Sequence, residues 1–397
     1  MSNKTPSKDD YISLIIGIDA SNLRNGGGVT HLIELLRIAD PFLHKFDHII
    51  IWGGSETLNM LEEHSWLVKR DISDSYNGLI KRTFWQRFYF TQAAKDAGCN
   101  VLFVPGGSYI GNFSRVVTMS QNLLPFQMSE LRRFGWTFFT LKLLLLRLVQ
   151  SYTFRRANGV IFLTKYSQDA VLKITGMLNG KLSIIPHGIN PRFENKPKKQ
   201  LSISDYNDAK PFHIIYVSKV DQYKHQWHVI EAVASLRKLG LPVVLDLVGG
   251  SYIPALKRMK ASINILDEKQ YWVNYHGLIP FSELHHMYEK ADLGVFASSC
   301  ENMPNILLET MASGLPIACS KMGPMPEVLG EAGVYFDPEK SEDIFRALHY
   351  LIKSPLLRMK LAQDSYDLSR QYTWQRCTDE TFKFLNEFKN EKRIIDV

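Results

Sequence analysis

ADLGVFASSCENMPNILLETMASGLPIACSKMGPMPEVLGEAGVYFDP, residues 291–338, decides the fold. LGVFASS (293–299) is a short, continuously apolar run of strand character, and Glu301 lies in the loop behind it. Pro304 stands where a helix can begin, that helix carries Glu309, and PIACSK (316–321) opens the next strand. Apolar strands without alternation, separated by helices, are the mark of a parallel sheet covered on both faces. In such sheets ligands bind beyond the carboxyl ends of the strands, so the loop holding Glu301 is a place to look for chemistry. The helix start offers free amides to an anion, and the two carboxylates can accept hydrogen bonds from separate hydroxyl groups of a ligand. Glu-x7-Glu alone is common, and a solvated helix face reads the same way.

Working outward, the same rhythm runs through most of the chain. Toward the N-terminus of the quoted stretch lie FHIIYVSKV (212–220), VVLDLVGG (243–250) and VNYHGLIP (273–280). Before them PRFENKPKKQLSISDYNDAKP (191–211) has neither helical nor strand period and reads as a linker. The first half holds LIIGID (14–19), HIIIWGG (48–54), VLFVPGG (101–107), RVVTMS (115–120), GVIFLT (159–164) and LSIIPHG (182–188). A chain of 397 residues exceeds what one core usually supports. The expectation is an α/β protein of two Rossmann-like, doubly wound parallel-sheet domains facing across a cleft. Their bounds would be 1–190 and 212–371, followed by a final helical segment, 372–397.

Two further loops deserve chemistry on position. Gly26, Gly27 and Gly28 follow the first strand and lead into a helix, allowing close approach of backbone to an anion, although a plain tight turn reads equally well. The dinucleotide fingerprint Gly-x-Gly-x-x-Gly is absent there. Lys219 ends a strand and Lys224 opens a helix, which suits a clamp for a diphosphate, or else two solvated lysines.

Composition narrows the classes. The chain is 45% hydrophobic and 22% charged, so extensive disorder is not expected. Four cysteines without close pairing suggest neither a zinc site nor a disulfide framework. MSNKTPSKDD lacks the apolar core of a signal peptide, and a cytoplasmic protein is expected. A net charge of +7 suits phosphorylated ligands, an anionic membrane surface or nucleic acid, but no nucleic-acid motif is present, so no such partner is expected. FGWTFFTLKLLLLRLVQ (134–150) is interrupted by Lys142 and Arg147 and cannot span a bilayer. With Arg132, Arg133, Arg155 and Arg156 it reads either as a basic helix lying on anionic lipid or as a buried domain helix. No metal site is expected, because Asp-x-Asp is missing and only His285 and His286 stand together.

The Glu301/Glu309 pair followed by MASGLPIACS and GPMPEVLGEAGVYFDP strongly resembles the retaining glycosyltransferases of family 4, also called group 1. The resemblance extends to Lys219 and Lys224, the glycine-rich first loop, IPHGIN (185–190) and the last helix after Tyr372. It implies the GT-B fold, with the acceptor side in the first domain and the nucleotide-sugar side in the second. Glu309 would bind the donor ribose, Glu301 would contact the sugar hydroxyls, and Lys219 and Lys224 would hold the diphosphate. Gly27, Gly28, Asn305, Ile306 and Gly277 would border the donor, and the last helix would brace the first domain. The nucleotide sugar is then a substrate, and no cofactor is implied.

The chain departs from the family's pattern at two places. Asn302-Met303-Pro304-Asn305 stands where a Phe-Gly pair is common, and Gln121 and Asn122 stand where many members have His-Asp. His187 would line the cleft. A front-face substitution tolerates the missing imidazole, since the departing phosphate oxygen can take the acceptor proton. The resemblance implies hexosyl transfer from a GDP- or UDP-sugar to a glycan or lipid-linked acceptor, in surface polysaccharide synthesis. A nucleotide-sugar epimerase or hydrolase of the same shape, or a catalytically silent binding protein, would share these features.

Overall fold

The computed structural model describes residues 13–24, 26–73 and 79–389; the polar opening segment 1–10 lies outside them. Seven strands form the first sheet: β1 (Ile15–Asp19), β2 (His48–Gly53), β3 (Leu67–Asp71), β4 (Val101–Val104), β5 (Val116–Met119), β6 (Gly159–Phe162) and β7 (Lys181–Ile184). Six form the second: β8 (Phe212–Val217), β9 (Val243–Val248), β10 (Val273–Gly277), β11 (Leu293–Phe296), β12 (Ile317–Ser320) and β13 (Val334–Phe336). The orders are β3-β2-β1-β4-β5-β6-β7 and β10-β9-β8-β11-β12-β13, with parallel pairing at both centres, Ile16 against Val101 and Leu293 against Ile214. Strand order reverses between β1 and β4 and between β8 and β11. Loops leaving these pairs diverge to opposite faces and open a crevice at each switch point.

The central strands are apolar on both faces because helices cover both. β4, β5 and β11 are buried at every residue. The sequence reading missed β3 and β13, and both are edge strands. β3 ends on Lys69, Arg70 and Asp71, charges that a strand with a free edge carries and an interior strand does not. β13 is only three residues long.

Beyond the second domain, Thr373 caps the helix Trp374–Asn386 by accepting from Arg376 N. This helix lies on the first domain. Thr378 Oγ1 reaches Leu35 O at 3.5 Å across 343 residues of sequence, and the Phe382 ring lies 5.5 Å from His44. A Cβ on Gly159 would come within 2.8 Å of Phe384. At the crossing, Ile189 N donates to Tyr372 O at 2.9 Å, and any side chain at Gly188 would collide with the Trp374 backbone.

The helix Phe138–Arg156 is only partly covered. Its inward residues are Thr140, Leu143, Gln150, Ser151, Thr153 and Phe154, while Phe138, Leu141, Leu145, Leu148 and Tyr152 are exposed. The leucine stripe is therefore not a core stripe, and the reading of this segment as a buried domain helix is corrected.

Candidate active site

On the second-domain wall the loop after β8 carries Lys219 and Lys224, and the loop after β11 carries Glu301. Lys224 is 6% exposed, and its Nζ forms a short ion pair with Glu301 Oε1. The ammonium also lies 5.3 Å from the Tyr223 ring and 5.5 Å from the Phe296 ring, so aromatic faces complete its shell. His225, at φ 52, turns the chain so that the helix Gln226–Lys238 can start immediately behind the lysine. In such a desolvated pair, loss of either partner strands a buried charge. Lys219 differs. Its side chain is more than half-exposed and pairs with Asp221 at 3.0 Å.

Pro304 precedes the helix Asn305–Ala312, which carries Glu309. Tyr288 OH donates to Glu309 Oε2 at 3.4 Å. Burial pushes the Glu309 carboxyl up to about 8, so it is protonated at neutral pH. Ile306, on the same first turn, accepts at its carbonyl from Thr310 Oγ1 at 2.7 Å. Gly277 ends β10 at φ 67, where a side chain would be strained, and its carbonyl accepts from Gly249 N at 2.7 Å.

The first-domain wall meets this one directly. Gly26, at φ 76, caps the helix Gly27–Ile38. A Cβ on Gly27 would lie 4.0 Å from Asn305 Nδ2, and one on Gly28 would lie 2.7 Å from Gln121 Oε1. Asn305 in turn bonds His187 Nδ1 through its Oδ1 at 3.1 Å. Gly27, Gly28, Gln121, His187 and Asn305 thus converge at one point of the cleft. Asn122 does not join them; it is exposed, and its Oδ1 accepts from Leu124 N at 3.1 Å to fix its own turn. His187 stacks on Trp374 and lies 4.7 Å from His31. Burial pulls His187 down to about 4 and lowers His31 too, with each ring kept neutral.

Several bonds hold the walls together. Asn302 Nδ2 donates to Ser120 O at 2.6 Å, and Thr164 Oγ1 donates to Asn302 O at 3.0 Å. Ser299 Oγ donates to Glu130 Oε2 at 2.7 Å, and Arg133 ties Glu130 to Glu339. Glu327 accepts from Lys165 N and Tyr166 N at 2.6 and 2.8 Å, capping a first-domain helix from the second domain.

Glu130, Tyr288, His31 and Glu327 were not singled out from sequence. Only the Glu-x-x-Arg spacing of Glu130 and Arg133 hinted at a local pair, and nothing in sequence hinted at the rest, whose partners lie across the cleft or on distant elements. Among the described residues, His285, His286 and Glu289 bring ligand atoms within 4.8 Å of one another on the short helix Leu284–Lys290, where His286 and Glu289 are exposed.

Residues 198–368 match the family described as Glycosyl transferases group 1. O-antigen chain mannosyltransferase B of Escherichia coli is 29% identical over 118 residues, 30% of this chain and 30% of that protein. The GDP-mannose-dependent alpha-(1-6)-phosphatidylinositol monomannoside mannosyltransferase of Mycolicibacterium smegmatis is 25% identical over 213 residues, 50% of this chain and 54% of that one. The chain therefore spans about half or less of the length of these curated relatives. Anabaena HepE in complex with UDP-glucose superposes with a TM-score of 0.70 at 16% identity, covering 94% of this chain and 100% of that one. Identity so low speaks for the fold. With the match over 198–368 and two parallel-sheet domains facing across a cleft, the chain carries the domain of the group 1 glycosyl transferases within a GT-B fold.

Proposed function

We propose that the chain is a retaining hexosyltransferase, acting in the cytoplasm on a GDP- or UDP-sugar donor and a glycan or lipid-linked acceptor. The observation that carries this reading is the buried Lys224–Glu301 pair at the β8/β11 switch point, on the same wall as Asn305, which meets Gly27 across the cleft. Lys224 faces the diphosphate, with Lys219 as a more solvated second cation. Glu309 takes the ribose hydroxyls, Glu301 the hydroxyls of the transferred sugar, and backbone near Gly277 the base. Ile306 presents its amide at the helix start to the phosphates, and the Asn305 side chain borders them.

In the reaction the bond from the anomeric carbon to the diphosphate oxygen breaks as the acceptor oxygen bonds to the same face. The acceptor proton passes to the departing oxygen. Negative charge grows on the diphosphate through this step, so the Lys224 ammonium stabilises the transition state more than the bound donor. His187, neutral and held by Asn305, positions that residue rather than carrying the proton. Gln121 lies on the acceptor side, and Asn122 behind it fixes the turn. The relatives support this reading by their names, one for O-antigen chains and one for a GDP-mannose donor, and the HepE complex by its UDP-glucose.

The test is a thermal-shift panel of UDP-, GDP-, ADP- and dTDP-sugars, followed by NMR of the product from the best donor. Expected are a stabilising donor, a product with the donor's anomeric configuration, and turnover that persists in EDTA because lysine supplies the charge. Release of free sugar without need of an acceptor would move the chain to the hydrolase or epimerase reading. Donor binding without turnover on any acceptor would make it a binding protein.

A further inference from the structure

The helix Phe138–Arg156 exposes large apolar side chains that a helix on a water-facing surface would bury. Toward the protein it buries Thr140, Gln150, Ser151 and Thr153 beside Leu143 and Phe154, with Leu144 and Leu146 half-buried. Toward the outside it turns Phe138 (84% exposed), Leu141, Leu145, Leu148 (66%) and Tyr152, spaced by three or four residues along one face. Trp136, just ahead of the helix, is fully exposed. Exposed large apolar residues scattered singly need no explanation, but a continuous stripe does.

Charge says what covers it. No Asp or Glu occurs from Leu131 to Gln168, whereas Arg132, Lys142, Arg155 and Arg156 are exposed on or beside the helix. Trp136 and Tyr152 sit toward opposite ends of the stripe, the residue types that lie well with an apolar body and a polar tip at a lipid boundary. The helix is not apolar enough to cross a membrane. On its inner side Leu143, Leu144 and Leu146 pack in one cluster with Tyr223 and Cys300, the sequence neighbours of Lys224 and Glu301.

We propose that this face docks flat on an anionic lipid surface, with Phe138, Leu141, Leu145 and Leu148 in the acyl boundary and Lys142, Arg155 and Arg156 at the headgroups. Because the inner side of the same helix packs beside Tyr223 and Cys300, docking would hold the site close to the membrane that presents a lipid-linked acceptor. The docking itself stands independently of the catalytic reading.

The test is co-sedimentation of the full chain with phosphatidylcholine vesicles, with and without phosphatidylglycerol, at low salt and at about 0.5 M salt. Wild type should bind the anionic vesicles, lose most binding in high salt, and bind neutral vesicles weakly. Leu145→Glu with Leu148→Glu should lower affinity about tenfold or more while circular dichroism and the donor thermal shift stay unchanged. Neither residue belongs to the catalytic machinery, so transfer to a water-soluble acceptor should persist. Failure of wild type to bind anionic vesicles, or equal binding to neutral ones, would overturn the proposal. So would a wild-type dimer in sedimentation velocity that the double variant dissociates, because the stripe would then be covered by a second copy.

Discussion

The second-domain wall meets the cleft with Lys224, Glu301 and Glu309, all ionisable and all set by desolvation or pairing, whereas the first-domain wall meets it with Gly27, Gly28, Gln121 and a His187 held neutral. Both walls grow from the same plan, loops after paired central strands at a switch point. One wall carries a desolvated ion pair beside a buried carboxyl; the other carries glycine backbone and neutral hydrogen-bonding groups. On the function proposed above, the ion pair would serve the diphosphate and the neutral wall the acceptor.

The contrast breaks most sharply at Lys224. Lys224→Ala should depress kcat roughly a hundredfold, equivalent to about 3 kcal/mol, with a smaller change in donor KM. Turnover near wild type in a variant that circular dichroism shows folded would leave the charged wall without a catalytic role. On the neutral wall, Gly28→Ala would place a methyl 2.7 Å from Gln121 Oε1, the far end of a flexible side chain. Its kcat/KM should fall about tenfold, and Gln121→Ala in the same chain should restore part of the loss. No rescue would mean the space at Gly28 serves the helix rather than a ligand.

Glu309 sharpens the comparison through pH. Its folded value, about 8, lies above that of an ordinary carboxyl, so the apo protein gains stability from the protonated form at low pH and loses it as pH rises toward 8. Ribose hydroxyls favour the ionised form, so donor binding near pH 7 should release a proton, and donor KM should fall several-fold from pH 6.5 to 8.5. Calorimetry in buffers of different ionisation heat reads the proton directly, and Glu309→Gln should abolish its release; a wild type that releases none would remove Glu309 from the ribose. The smallest effect is expected at Lys219. More than half-exposed and paired with Asp221, it should lose only about two- to fivefold in kcat on truncation to Ala. A loss matching that of Lys224→Ala would show that the donor draws both lysines into one desolvated clamp.

Much of the frame was legible because parallel strands covered on both faces write themselves as apolar runs, and LGVFASS and VLFVPGG stand out for that reason. WLVKRD did not, since an edge strand needs only one covered side and can end on charge. At the site, Glu301 and Lys224 could be named from their loops, but not their mutual ion pair, which joins positions 77 residues apart. Glu130 and Ser299 are 169 residues apart and carry no motif; only packing makes them neighbours. The direction of the helix Phe138–Arg156 was ambiguous for a different reason. Periodicity shows that leucines share a face, and it does not say which way that face turns.

The helix Trp374–Asn386 also has a consequence for biosynthesis. The first domain leaves the ribosome with Leu35, His44 and Gly159 still lacking the neighbours that Thr378, Phe382 and Phe384 provide, and those arrive only after the entire second domain has been made. During that interval the surface of the first domain that receives this helix is uncovered. Completion of the first domain therefore waits for the second, and it is sealed by residues made after its neighbour.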